Sequence, residues 1–182
     1  MNPVNRYLVV DLEATCSQPP EAPLPRHLSE IIEIGAVLLD ASYVPIAELQ
    51  TFVRPVRVPK LTAFCTELTS IRQADVDGAP TFPEAITLLA RFLGDGERPL
   101  FCSWGDYDKN QLAQDAAYHR IRLPLGQDHL NLKRCFSERV GETKKYGMAG
   151  ALRRCGLTME GTHHRGIDDA RNIARMVPFL LG

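Results

Sequence analysis

Asp11 and Glu13 stand two residues apart at the end of a short apolar run, Tyr7–Leu12 (YLVVDL). Residues i and i+2 of a strand share a face, so a strand here places two carboxylates side by side. Held dry and unpaired they repel and are costly to bury. A divalent cation relieves both problems; a solvated strand end is the ordinary alternative. A second acid, Asp108, lies in Ser103-Trp-Gly-Asp-Tyr-Asp at the opening of a helix read over Tyr107–His119. An acid there also serves as a helix N-terminal charge, worth about 0.3–1 kcal/mol, and Asp106 fits that role at least as well. The third group is His163-His-Arg-Gly-Ile-Asp-Asp-Ala. His164 sits on a loop five residues ahead of Asp169, near the start of the last helix. Asp168 suits the cap or first-turn acid, leaving Asp169 to point inward. A histidine at such a junction is either part of a plain hydrogen-bonded pair or a general base beside a metal.

Together, Asp11, Glu13, Asp108, Asp169 and one imidazole form a hard-ligand set. All-carboxylate sites suit Mg²⁺ or Mn²⁺ rather than zinc. Two such ions roughly 3.5–4 Å apart clamp the attacking and leaving oxygens of an in-line phosphoryl displacement. A neutral histidine, with an ordinary pKa of about 6.5, is suited to take a proton from the attacking water.

Elements must bring these groups together. Tyr7–Leu12, Glu30–Asp40 and Ala47–Val53 read as strands, with a hairpin over the polar Asp40–Pro45 stretch. Ser17–Pro25 holds four prolines in nine residues and reads as a surface loop. Thr81-Phe-Pro-Glu is a capping-box pattern; it opens a helix carrying Ala85–Leu93, which Gly94 closes. Pro99–Ser103 reads as a further buried strand. Met148–Cys155 and Asp168–Leu181 read as helices, the latter bent or ended by Pro178. Three strands followed by alternating helices and strands imply an α/β layer fold with a mixed sheet.

The chain has 182 residues, 45% hydrophobic and 24% charged, with a formal charge of −1. That composition predicts one globular domain over residues 1–182 and excludes disorder, a collagen-like repeat and a generic polycation. No run approaches membrane-span length, and no signal-peptide pattern opens the chain, so a cytoplasmic protein without membrane partners is expected. Five cysteines at least 20 residues apart, without a CxxC pair, argue against a disulfide framework and a structural zinc.

In order, DLEAT (Asp11–Thr15), SWGDYDKNQL (Ser103–Leu112) and HRGIDDARNIARM (His164–Met176) resemble the three motifs of the DEDDh family of 3′–5′ exonucleases. The resemblance runs from about Tyr7 to Leu180. FVRP (Phe52–Pro55), FCTELTSI (Phe64–Ile71) and DGAPTF (Asp77–Phe82) are similar to the branch containing KapD and the eukaryotic histone-mRNA 3′ exonucleases. It implies an RNase H-like (DnaQ-like) fold, with a five-stranded mixed sheet flanked by helices. It also implies a metal-dependent hydrolase that releases nucleoside 5′-monophosphates from single-stranded 3′ ends, RNA favoured over DNA. Asp11, Glu13, Asp108 and Asp169 would hold two divalent cations, Mg²⁺ or Mn²⁺, and His164 would be the general base. The motif spacing favours Asp108 over Asp106, and His164 with Asp169 over His163 with Asp168. Histidine rather than tyrosine in the third motif separates this family from its DEDDy relatives.

Substrate contacts are expected from Phe64, Leu68 and Trp104 by position, and from the backbone of Ala14 and Thr15 by resemblance. Stacking and apolar walls grip single-stranded ends. Asn131–Arg175 carries ten Lys/Arg against five acids, which predicts a phosphate-binding rim. The chain begins six residues before its first strand and ends with its last helix, so no additional nucleic-acid-binding domain is expected. Two rivals are a catalytically idle nucleic-acid-binding or regulatory module and a DNA-polymerase proofreading factor. The presence of all five catalytic-type residues disfavours the first, and the RNA-leaning resemblance the second.

Overall fold

The computed structural model describes residues 5–143 and 146–182. Met1–Val4, and Lys144 and Lys145 of the basic stretch, lie outside the described residues. The sheet is built from β1 (Arg6–Ala14), β2 (Ile31–Asp40), β3 (Pro45–Phe52), β4 (Leu100–Ser103) and β5 (His129–Asn131). Its spatial order is β3-β2-β1-β4-β5. The first three strands form an antiparallel meander, and β4 and β5 join β1 in parallel.

Alternation along β1 and β2 divides the core. Leu8, Val10 and Leu12, with Ile34, Ala36 and Leu38, face one layer. That layer is α3 (Phe82–Leu93) and α4 (Tyr107–His119). Val9, Val37 and Leu39 face the other, made by α5 (Leu132–Val140), α6 (Met148–Arg154) and α7 (Gly166–Leu181). Asp11 and Glu13 continue the Val9 side, so they project toward α7. The β1–β2 register slips between Glu13 and Ala14, a bulge at the strand end that bears the acids.

The Thr81–Glu84 capping box forms, with the Thr81 N–H donating to Glu84 Oε2 at 2.7 Å, and Gly94 (φ 69°) closes α3. In the hairpin, Asp40 Oδ1 accepts from the backbone N–H groups of Ser42 and Val44. Four elements carry little sequence signal: α1 (Ala63–Thr69), α2 (Gln73–Asp77), β5 and α5. The first two span seven and five residues, too short to show a 3.6-residue period, and β5 is three residues long. Pro178 does not end the last helix, which continues to Leu181. A proline removes one hydrogen bond, but Leu180 is buried and the Tyr43 hydroxyl donates to the Leu181 carbonyl at 3.0 Å, so tertiary contacts hold the final turn. All five cysteines are free thiols. Among the described residues no helix is long and apolar enough to cross a membrane.

Candidate active site

The parallel neighbours β1 and β4 end at the same edge of the sheet, and the first turn of α7 is laid across it. Donor oxygens of Asp11, Glu13 and Asp169 lie within 4.8 Å of one another. Asp11 and Glu13 arrive from β1. Asp169 arrives from the first turn of α7, where its backbone N–H donates to the Arg165 carbonyl at 2.8 Å. Asp168, its neighbour, turns away: its carboxylate accepts from the Thr162 N–H and pairs with Arg171. Asp169 lines the cavity that also holds Asp11 and Glu13.

Asp108 is buried, whereas Asp106 is exposed and pairs with Lys109. Asp108 Oδ1 accepts from the Leu12 N–H at 3.1 Å, which ties α4 to β1 and keeps the acid at the same cavity. That cavity, about 300 Å³, has Asp11, Glu13, Asp108, His163, His164 and Asp169 at its polar side.

Its electrostatics are those of crowded anions. Burial first, then the charges of Asp108, Asp169, Glu13 and Glu33, hold the Asp11 carboxyl well above the usual carboxylate range. Burial, followed by Asp169 and Glu33, pushes Glu13 up to about 8. Burial raises Asp108 to about 7, against hydrogen bonds from backbone N–H groups and Ser103. Asp169 is raised by burial and held back by His163. A hard divalent cation reverses this strain by supplying positive charge to oxygen donors that already converge, so the residues fit one.

His164 and its neighbour divide unexpectedly. His164 has a left-handed backbone (φ 62°) and reaches Asp169 Oδ2 through its backbone N–H at 3.0 Å. The ring of His163 makes the side-chain contact, with Nδ1 at 3.1 and 3.2 Å from the two Asp169 oxygens. The two imidazoles stack with centroids 3.9 Å apart. Burial and His163 lower the His164 pKa, against the opposing charge of Asp169. His163 was not selected from the sequence as a site residue; the tandem histidine was its visible signal.

Of the expected substrate contacts, Ala14, Leu68 and Trp104 line the cavity. Phe64 and Thr15 are not in its lining among the described residues. Phe64 is on the first turn of α1, where its N–H donates to Glu21. Thr15 is buried, its N–H donating to the Glu30 carbonyl and its Oγ1 accepting from the Glu30 N–H. Tyr107, Met148 and Cys16 also form the wall, and only Tyr107, exposed beside Asp108, had a sequence position that pointed to it.

Four arginines of the basic stretch are engaged in ion pairs across elements. Arg165 pairs with Glu33, Arg171 with Glu48, Arg175 with Glu160 and Arg154 with Glu142. Lys133 and Arg153 make no ion pair among the described residues. Two of the partners, Glu33 and Glu48, lie far away in sequence, where a local charge count does not see them.

A five-stranded mixed sheet covered by helices on both faces brings these acids together at the ends of its central strands. The chain belongs to the exonuclease family: the family model described as RNase_T, Exonuclease, matches residues 8–177. It is 34% identical over 185 residues to ERI1 exoribonuclease 3 of Homo sapiens, covering 96% of this chain and 53% of that protein. It is 31% identical over 196 residues to the 3′–5′ exonuclease Snipper of Drosophila melanogaster, covering 97% of this chain and 69% of that one. The chain thus spans about half the length of the exoribonuclease 3 relative. Among solved structures, it resembles the nuclease domain of 3′hExo, a DEDDh family member bound to rAMP. That match has a TM-score of 0.88 and 27% identity, over 99% of this chain and 93% of that one. The five-stranded mixed sheet expected from the motifs is the fold of this family.

Proposed function

We propose that this chain is a divalent-metal-dependent 3′–5′ exonuclease that trims single-stranded RNA ends to nucleoside 5′-monophosphates. The observation that carries the reading is the convergence of Asp11, Glu13 and Asp169 within 4.8 Å, in one cavity with Asp108 and His164. The relatives named exoribonucleases, and the rAMP-bound nuclease domain, support RNA as the polymer.

Asp11, Glu13, Asp108 and Asp169 would hold two cations, Mg²⁺ or Mn²⁺. When bound, these supply charge neutralisation and Lewis-acid polarisation at the scissile phosphate. The chain's own residues do the rest. Neutral His164 accepts the proton of the attacking water at a free imidazole nitrogen. The water oxygen bonds to phosphorus as the bond to the 3′-oxygen of the preceding nucleotide breaks. That oxygen leaves with the shortened strand and takes up a proton from solvent. Leu68, Trp104 and Tyr107 wall the cavity and hold the terminal base by apolar contact and stacking. The Trp104 indole N–H donates to the Tyr146 carbonyl at 3.2 Å, fixing that wall.

The test is a gel assay of 5′-labelled single-stranded RNA and matching DNA, with Mg²⁺, Mn²⁺ or EDTA, beside Asp108→Asn. A metal-dependent ladder that shortens from the 3′ end, stronger on RNA and absent in the variant, is the expected result. Binding without cleavage of either strand would replace this reading with that of an idle binding module.

A further inference from the structure

Glu33 faces Glu13 across the β1–β2 register, as Gly35 faces Asp11, on the side of the sheet that carries the site. It is fully buried. Like charges directly opposite one another are unfavourable, and Glu33 is among the groups that raise both Glu13 and Asp11. Yet Glu33 does not line the catalytic cavity.

Its carboxylate is occupied by α7. Oε2 accepts from Arg165 Nε at 3.0 Å and from the Gly166 N–H at 3.0 Å. Oε1 accepts from Arg165 Nη2 at 3.2 Å and Gln50 Nε2 at 3.0 Å. The Arg165 guanidinium also lies 5.2 Å from the centroid of the Phe52 ring. A forked arginine–carboxylate pair fixes orientation as well as distance.

What it fixes is the turn that delivers the chemistry. His164 immediately precedes Arg165 in a left-handed conformation (φ 62°) that a non-glycine residue keeps only where its surroundings over-determine it. The Arg165 carbonyl accepts the Asp169 N–H at 2.8 Å. Gly35 and Gly166 meet backbone to backbone: a Cβ on Gly35 would fall 2.1 Å from the Gly166 carbonyl carbon. Glu33 thus anchors the turn at the point where β2 and α7 are in closest contact.

We propose that Glu33 is a positioning residue for catalysis. Through Arg165 and Gly166 it sets where His164 and Asp169 stand relative to Asp11 and Glu13, and the same pairing keeps its carboxylate oxygens turned to α7 rather than to the cavity. The proposal rests on the reading of His164 as base and Asp169 as ligand. A sub-ångström to one-ångström displacement of such groups costs up to about 100-fold in rate.

The experiment compares the full chain with Glu33→Gln, Arg165→Gln, Arg165→Lys and the Glu33→Gln/Arg165→Gln double variant, beside His164→Ala and Asp169→Asn. Steady-state kinetics on a short single-stranded RNA are paired with melting temperature and Mn²⁺ titration. Glu33→Gln and Arg165→Gln are expected to lose about 10–100-fold in kcat with KM little changed, and to bind Mn²⁺ more weakly while still folded at the assay temperature. The double variant should be no worse than the worse single, because both act on one turn. Arg165→Lys, which keeps the charge and loses the fork, should fall between and keeps the test open should the Gln variants unfold. Wild-type kcat in folded variants, additive losses in the double variant, or loss that only tracks unfolding would each overturn the proposal. Activity in His164→Ala or Asp169→Asn would instead overturn the underlying reading of the site, and the proposal with it. Inactivity of those two beside a wild-type Glu33→Gln would remove only Glu33.

Discussion

His163 and Asp169 form the closest side-chain pair between a histidine and an acid in the site, with Nδ1 3.1 Å from Oδ2, while His164 touches the same carboxylate only through its backbone N–H. The two histidines therefore meet Asp169 through different groups. The His164 ring makes no hydrogen bond to Asp169 among the described residues, although a ring nitrogen lies within 4.8 Å of its carboxylate, and burial and His163 lower its pKa. His163 Nδ1 lies 3.1 and 3.2 Å from the two Asp169 carboxylate oxygens.

That division separates two variants. His164→Ala is expected to lose about 10²–10⁴-fold in single-turnover rate with Mn²⁺ affinity nearly unchanged. His163→Ala removes one hydrogen bond, whose net worth of about 1 kcal/mol corresponds to less than about tenfold, and saturating metal should recover part of that. Single-turnover kinetics with Mn²⁺ titration of both variants decide the point. Equal losses would assign base chemistry to both rings.

The acids should behave oppositely toward activity and stability. Asp11→Asn or Asp169→Asn removes a proposed metal ligand and is expected to reduce cleavage to background. The same change removes a repelling charge from a cluster in which Glu13 is pushed up to about 8. Without metal, the variants should melt at or above the wild-type temperature, and they should gain less from added Mg²⁺. Thermal melts in EDTA and in Mg²⁺ measure both. A clear fall in the metal-free melting temperature would mean that these acids stabilise the fold rather than strain it.

The same cluster sets a pH dependence. Glu13 at about 8 and Asp108 at about 7 hold protons that the unfolded chain releases near pH 4. Between those values the native state binds more protons than the unfolded state, so stability falls as pH rises. The contribution is complete below about pH 4 and gone above the folded pKa values. Lowered His164 and His129 act in the opposite sense only near and below about pH 6.5. Metal-free melts should therefore drop from about pH 6.5 to about pH 8, Glu13→Gln should flatten the slope, and Mg²⁺ should reduce it. A melting temperature that rises over this interval would contradict the burial of protonated acids.

Much of the site was legible because its signals are local. The i, i+2 spacing put Asp11 and Glu13 on one face, and the first-turn role of Asp168 left Asp169 for the cavity. The choices between Asp106 and Asp108, and between the two histidines, needed the motif spacing. The structure then gave the His163 ring a contact that spacing does not encode. The strands of the meander were legible as apolar runs and α3 by its capping box and helical spacing, whereas α1, α2 and β5 are too short for a period and are held by caps and neighbours. Glu33 was visible only as an acid within the apolar run EIIEIGAVLLD; its partner Arg165 is 132 residues away. The pairs Arg165–Glu33 and Arg171–Glu48 were hidden for the same reason, since a charge count along the chain does not see partners across it.

The backbone contact between Gly35 and Gly166 supplies the sharpest steric expectation. A glycine inside a strand marks a close approach, and here an added Cβ would meet Gly166 and Ile167 backbone atoms at 2.1–2.2 Å, which no rotamer change relieves. Gly35→Ala should destabilise by about 3 kcal/mol or more, at or above the usual range for overpacking. At Gly166 an added Cβ would lie 3.0 Å from the Asp11 carbonyl oxygen, so Gly166→Ala should cost less stability. It should nevertheless lose kcat per folded molecule, because the shift that relieves the contact moves α7 and Asp169 away from Asp11. Gly78→Ala, with nothing within 4 Å of the new Cβ and an ordinary φ of −94°, is the control and should be nearly neutral in both measures. Denaturant melts and kinetics on the three variants read the order directly: stability loss greatest at Gly35, catalytic loss per folded molecule evident at Gly166, neither at Gly78. Wild-type stability in Gly35→Ala would mean that β2 and α7 are not in backbone contact and that the acids are positioned some other way.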